Sequence, residues 1–356
     1  MLRLIAEIGV NHNGNPELAK EMISRVKMSG FDTVKFQLFK PELLASKGAE
    51  VAQYQRKNGF NNHLEMLESL KLSETQVLGL RDYAESLGIE FLVTPFDNSS
   101  LLFLSRELGM KEVKVGSGDL TNGPLLFEAG REQMKLILST GMASEEEIKN
   151  ALACYFLGLA QTDKSKMSFE RIRSFDFKSV NRQRFDFVSI LHCVSCYPCP
   201  PEETNLLRIV QLKELFPQIS IGYSDHTIGP EASIAAIALG AEVLEKHVTL
   251  DPEDAGPDHA ASMSLEQASE FVESLRRTKA MIGKKTETEN TCESEVKKVA
   301  RKSLHTTKIT SRGQNLDLIP LRPGTGVSPF LYWDLVGKPS VRELGKGKML
   351  EKVDLD

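Results

Sequence analysis

Runs of like charge, long apolar stretches and a dense cysteine framework are all missing from this 356-residue chain. With a net charge of −5 and no block of five or six like charges, it carries no electrostatic footprint for nucleic acid or an anionic membrane. An anionic ligand would therefore have to be met by cations gathered at one place. The longest apolar run, around ALACYFLGLA, falls far short of the roughly 20 residues that a bilayer span takes. The start, MLRLIAEIG, lacks a basic segment followed by a long apolar core and is interrupted by Glu7. No signal peptide is read there, no membrane partner is expected, and the expected location is cytoplasmic. In that compartment thiols stay reduced, so five cysteines need form no disulfide.

Three of the five nevertheless lie together, as Cys193, Cys196 and Cys199 in SILHCVSCYPCPP. A ferredoxin-type run would need a fourth cysteine where Glu203 stands, and Cys154 and Cys292 have no ligand spacing. The cysteines do not complete a cluster, and the stretch needs another reading.

Eight strand-like segments alternate with helix-like ones between residue 2 and about residue 283: LRLIAEI, DTVKFQLF, IEFLVTPF, EVKVGSG, KLILSTG, FDFVSILHC, SIGYSDH and AEVLEKHVT. Helix starts are marked by Asn15-Pro16, with Gly30 closing that helix, and by capping-box pairs at Ser73/Gln76, Ser144/Glu147 and Ser264/Gln267. Strict βα alternation implies a parallel sheet, and eight units in this length predict a closed (β/α)8 TIM barrel over residues 1–283, of α/β class. An open doubly wound sheet is the alternative; the absence of G-x-G-x-x-G weakens it. Residues 159–183 exceed an ordinary connection and read as an insertion that could cover the site, contact a partner subunit or lie as a surface loop. A polar linker is expected at 284–298 and a small irregular or β module at 299–356.

In such a barrel the chemistry sits where strands end. Every expected strand carries polar groups there: Glu7; Lys35 and Gln37; Thr94 and Asp97; Lys114 and Ser117; Ser139 and Thr140; His192; Ser224, Asp225 and His226; Glu245 and His247. Singly each could be a solvated loop residue, but inward strand positions otherwise favour Val, Ile and Leu. A lysine buried without an anion is costly, so Lys35 and Lys114 converging on one mouth predict an anionic ligand. Ser117, Ser139, Ser224 and Thr94 add hydroxyls, and VGSGD and LSTGM allow close approach of backbone amides, which favours a phosphorylated substrate. His226 and His247 end neighbouring strands, with Asp225, Glu245 and Asp258 nearby. Two nitrogens with oxygens or waters suit an ion such as manganese better than a thiolate zinc site.

These same pieces, AEIGVNHNG, VKFQLF, TPFD, VKVGSGD, STGMAS, LHCVSCYP, IGYSDHT, EKHVTLD, GPDHAASM and LRPGTGVSP, resemble the sialic acid synthase family in its order and over nearly the whole chain. The resemblance implies a transferase of carbohydrate biosynthesis that condenses phosphoenolpyruvate with an N-acetylated hexosamine, N-acetylmannosamine in the first reading. A 6-deoxy-diacetamido hexose, giving legionaminic or pseudaminic acid, is the alternative; more distant ones are a 3-deoxy sugar acid synthase and a non-catalytic protein on the same barrel. It implies His226 and His247 as ligands of Mn2+, with Mg2+ or Co2+ as substitutes. Lys35, Thr94, Lys114, Ser117, Ser139, Ser195 and Ser224 would hold phosphoenolpyruvate. Glu7, Asp225 and Glu245 would be catalytic, and Gln37, Tyr197, Asp258 and Arg322 would meet the sugar. Residues 299–356 are similar to the antifreeze-like (SAF) module, whose arginine, here Arg322, implies a domain-swapped homodimer. The cysteine stretch then becomes an active-site loop worked by Ser195 and Tyr197.

Overall fold

Eight parallel strands, each followed by a helix, make up the first part of the chain in the computed structural model, which describes residues 2–46, 63–283 and 290–356. The strands are β1 (Arg3–Gly9), β2 (Thr33–Leu38), β3 (Glu90–Pro95), β4 (Glu112–Val115), β5 (Lys135–Ser139), β6 (Val188–His192), β7 (Ser220–Asp225) and β8 (Val243–Thr249). They pair in the order β3-β2-β1-β8-β7-β6-β5-β4, and the two outer members, β3 and β4, touch each other. The result is the expected α/β barrel, nearly closed. Its helices are α1 (Pro16–Met28), α2 (Glu74–Ser86), α3 (Asn98–Leu102), α4 (Gly123–Arg131), α5 (Glu145–Leu159), α6 (Leu207–Leu215), α7 (Glu231–Ala238) and α8 (Ala268–Ile282).

Local chemistry explains the helix starts. The Asn15 side chain accepts from the amides of Glu17 and Leu18, and Pro16 costs no hydrogen bond in the first turn. Ala19, Met22, Ile23 and Val26 then fall on one buried face. Both Ser73/Gln76 and Ser144/Glu147 form reciprocal capping boxes. The pair Ser264/Gln267 does not: Ser264 ends a two-residue strand, Met263–Ser264, beside β8, and α8 begins only at Ala268. Pairing with β8 holds Ser264 extended and moves the helix start beyond its reach.

The strand pleat positions the site. Leu4, Ala6 and Ile8 of β1 pack outward against the helices, whereas Ile5 joins Leu92, Ile137, Leu191 and Val243 in a separate buried cluster. Two residues further along each of these strands, on the same face, stand Glu7, Thr94, Ser139, Cys193 and Glu245. An apolar floor therefore carries a polar layer one pleat above it. Among the described residues no helix is long and apolar enough to cross a membrane.

The segment 159–183 connects α5 to β6 and leaves the barrel at the end where strands begin. Its Phe175 and Phe177 pack against Phe156 of α5, with ring centroids 6.3 and 6.2 Å away. None of its residues lines the cavity described below, which removes a covering role.

Residues Lys284–Asp356 form a second compact unit. Of the stretch expected as a linker, 284–289 lie outside the described residues, and Ser294–Ala300 forms a helix, α9. β9 (Ser303–Thr306) pairs antiparallel with β10 (Leu318–Leu321) over a small core that includes Leu304, Leu316, Leu344 and Leu350.

Candidate active site

A cavity of about 490 Å3 opens above the polar layer. At its base, Lys35 Nζ lies 2.7 Å from Glu7 Oε2 and 3.7 Å from Glu245 Oε2, and Lys114 Nζ lies 3.6 Å from Glu245 Oε1. Both lysines are 3% exposed, so each is largely stripped of water. Burial alone would push Lys35 down, but Glu245 and Glu7 reverse this and raise it; Lys114, less well compensated, is lowered by burial. Burial would also push Glu245 up, yet Lys114 and Lys35 hold it down to about 2. The cavity base thus has two cations sharing one firmly ionised carboxylate. Glu7 is raised by burial despite Lys35, and Gln37 Nε2 donates to its Oε1 at 3.1 Å.

Hydroxyls surround the cations. Lys114 donates to Ser139 Oγ at 2.6 Å and Lys35 to Thr94 Oγ1 at 3.1 Å. Ser224 Oγ donates to Glu245 Oε1 at 3.0 Å. The Gly141 amide donates to Ser117 Oγ at 2.9 Å and to Cys193 Sγ at 3.2 Å. A Cβ at residue 141 would sit 2.4 Å from Ser195 Oγ and 2.9 Å from Ser117 Oγ. A side chain there would crowd both hydroxyls, so glycine keeps Ser117 and Ser195 close to this stretch of backbone, a grouping of polar groups that suits a phosphate or carboxylate.

The His226 and His247 rings meet edge to face, centroids 5.6 Å apart and planes at 62°, and the Tyr197 ring lies 4.2 Å from that of His226. His226 Nδ1 donates to Val194 O at 2.6 Å, which leaves the lone pair on Nε2, whose neighbour is Ser224 Oγ at 3.4 Å. His247 Nδ1 is buried with no hydrogen-bond partner. Burial lowers both imidazoles, His226 to about 4 with help from His247, and His247 to about 3 with help from Lys35. Neutral rings with a spare nitrogen fit a divalent ion. Among the described residues no group of three or more His, Cys, Asp or Glu side chains could cage one, so water or substrate would complete its shell. Asp258, 3.8 Å from His247 Nδ1, is raised to about 7 by burial and by Glu7.

Of the residues expected at the site, Asp225 is not there. It lies on the other face of β7, where its Oδ2 meets Lys246 Nζ at 2.9 Å and accepts from Ser233 Oγ of α7 at 2.5 Å. The pleat decides this: Ser224 and His226 face the lumen, so Asp225 between them cannot. Three other strand-end groups also serve structure. Asp97 caps α3, Thr140 donates to Leu191 O at 3.0 Å, and His192 Nε2 meets Thr204 O at 2.8 Å. Arg322 lies in the second unit, exposed, donating through Nε to Ala300 O at 3.0 Å. Two features escaped sequence reasoning. Cys193 lines the cavity, 3.0 Å from Ser117 Oγ; its parity with Leu191 was the available signal. The opposite wall is apolar, built from Val10, Phe39, Phe96 and, on the helix His63–Leu70, Met66, Leu67 and Leu70.

The NeuB family signature matches residues 22–287. Over 352 residues the chain is 37% identical to the N,N'-diacetyllegionaminic acid synthase of Legionella pneumophila, covering 98% of this chain and 92% of that one. It is 34% identical over 340 residues to the N-acetylneuraminate-9-phosphate synthase of Homo sapiens, covering 94% and 87%. Among solved structures, the N-acetylneuraminic acid (sialic acid) synthetase of Leptospira borgpetersenii in complex with citrate superposes with a TM-score of 0.68 at 28% identity, over 83% of this chain and 90% of that one.

Proposed function

Because the chain belongs to the NeuB family, we propose that it condenses phosphoenolpyruvate with the open-chain form of a 6-deoxy-diacetamido hexose, giving a nine-carbon sugar acid of the N,N'-diacetyllegionaminic type and inorganic phosphate. Family membership makes it a phosphoenolpyruvate-dependent, carbon–carbon bond-forming transferase. The observation that carries the donor half is the buried pair Lys35 and Lys114 around Glu245, with the second carboxylate, Glu7, raised by burial: the cluster's cations suit an anion. Lys35, Lys114, Thr94, Ser117, Ser139, Ser195 and Ser224 are then the phosphoenolpyruvate contacts.

In this reading the methylene carbon of the enol phosphate attacks the aldehyde carbon, and the aldehyde oxygen takes up a proton. Water adds to the oxocarbenium-like carbon left behind and loses a proton. The tetrahedral product then expels phosphate by carbon–oxygen cleavage. Fixed cations at carboxylate and phosphate stabilise this charge without reorganising. Glu7, raised by burial and held by Gln37, is the proton carrier, with Asp258 and Tyr197 set against the sugar. Glu245 keeps the lysines charged and Ser224 oriented. A divalent ion at His226 and His247, manganese in this reading, supplies Lewis acidity at the aldehyde oxygen when bound.

The acceptor moves here from N-acetylmannosamine to the deoxy-diacetamido sugar. The relative of 37% identity is named for the legionaminic product, and the apolar wall of Phe39, Met66 and Leu67 offers burial to the sugar's extra methyl groups, each worth about 0.8 kcal/mol. The solved relative named as a sialic acid synthetase keeps N-acetylmannosamine as the second reading. We read residues 299–356 as an antifreeze-like module placing Arg322 in the neighbouring subunit's site of a cytoplasmic homodimer. Phosphate release, after chelation and manganese add-back, is to be measured with each sugar. Release with the deoxy-diacetamido sugar at higher kcat/KM supports the reading; preference for N-acetylmannosamine overturns the acceptor, and no release with either overturns the activity. Arg322→Ala should raise KM for the sugar about tenfold and leave that for phosphoenolpyruvate unchanged.

A further inference from the structure

Asp225 and Lys246 are 1% exposed and lie on the outer pleat of β7 and β8, behind the lumen. They are register partners, one step beyond the pair Ser224 and Glu245. The chain positions that follow them are His226 and His247. Lys246 Nζ, beyond its 2.9 Å contact with Asp225, donates to Thr227 O at 2.6 Å and to Gly229 O at 3.3 Å, so a side chain adjoining His247 grips the turn that follows His226. Asp225 Oδ1 receives the Thr227 amide at 2.8 Å and its hydroxyl at 2.7 Å, while Oδ2 receives Ser233 Oγ of α7. A buried ion pair is a poor source of net stability, since desolvation offsets most of its attraction; fixing register is its best-attested use. A slip of one residue between β7 and β8 would invert one strand against the other and turn one of the two imidazoles out of the lumen.

We propose that the Asp225–Lys246 pair is a positioning device that sets the separation and aim of the two imidazoles, and through them the affinity for a divalent cation. The inference rests on reading His226 and His247 as metal ligands. Asp225 thereby acts through its neighbours rather than touching substrate.

The test uses the full-length chain and manganese alone, with affinity read by the free-ion electron paramagnetic resonance signal, alongside phosphoenolpyruvate affinity measured calorimetrically in chelator. Lys246→Met should weaken manganese binding by about tenfold or more, the scale seen when groups behind metal ligands are removed, with phosphoenolpyruvate affinity changed less than about twofold. Asp225→Asn, which keeps shape and part of the hydrogen bonding, should give a smaller loss and carries the test should Lys246→Met not fold. Tyr155→Phe, which removes a buried bond to Met134 O far from the site, is the control for general destabilisation and should bind manganese as wild type does. Unchanged manganese affinity in a folded variant of the pair, or an equal loss in Tyr155→Phe, overturns the proposal alone. A wild-type chain that binds phosphoenolpyruvate but no manganese overturns both it and the reading of the histidines.

Discussion

Two buried charge clusters stand back to back across the wall made by β7 and β8, and they are built on opposite terms. Outside, Asp225 and Lys246 contact each other at 2.9 Å, and hydroxyls, an amide and backbone carbonyls between 2.5 and 3.4 Å away fill their remaining positions. Inside, Lys35 pairs with Glu7 at 2.7 Å, but Glu245 is shared loosely by Lys35 and Lys114 at 3.7 and 3.6 Å, and Glu245 Oε2 and His247 Nδ1 have no hydrogen-bond partner. Burial without full pairing is costly, and it persists where a ligand completes the set. The contrast separates a cluster satisfied within the fold from one that a bound anion would complete.

Removing an inner imidazole should give the largest effect. His247→Ala is expected to lower kcat by about 10³-fold in the phosphate-release assay, with the circular dichroism spectrum and melting temperature retained; full activity with unchanged manganese dependence would take His247 out of the site. The two lysines then test the contrast directly. Lys246→Met leaves Asp225 buried and unpaired, and should cost about 3 kcal/mol of unfolding free energy in urea. Lys114→Met removes a poorly compensated charge, should cost less than about 1 kcal/mol, and should weaken phosphoenolpyruvate binding about 100-fold. Equal stability losses would erase the distinction between the clusters.

The smallest effect concerns His12, buried in the turn that follows β1 and held down to about 4 by burial. Its Nδ1 accepts the Gly14 amide at 3.0 Å, so the folded chain needs it neutral. The unfolded chain takes up this proton near pH 6.5 and the folded chain only near 4. The contribution is therefore complete above about pH 6.5 and is lost as pH falls toward 4. His12→Asn, whose oxygen can accept the same amide, should flatten the stability–pH curve in that window; an unchanged slope would show that other groups govern it.

Much of the site was legible because buried lysines and histidines at strand ends contradict the apolar pattern around them. Lys35, Lys114, His226 and His247 stand out in strands of Val, Phe and Leu for that reason, and all four line the cavity. Asp225 and His192 were drawn in by the same rule although they sit on the opposite pleat, and Cys193 was set aside although its pleat faces the lumen. Asn15, Ser73 and Ser144 announced their helices because a cap is a local hydrogen bond. Ser264 did not, because a distant strand competes for its backbone.

By itself the sequence determined the alternation of strand and helix, the count that makes a barrel and the gathering of cations, hydroxyls and imidazoles at the strand ends, since these depend on period and side-chain chemistry along the chain. Only the tertiary structure decided which parity of each strand turned inward, that Asp225 met Lys246 rather than a substrate, and that the helix His63–Leu70 supplied an apolar wall. Those outcomes depend on strand register and on contacts between residues far apart in the chain, which no local pattern carries.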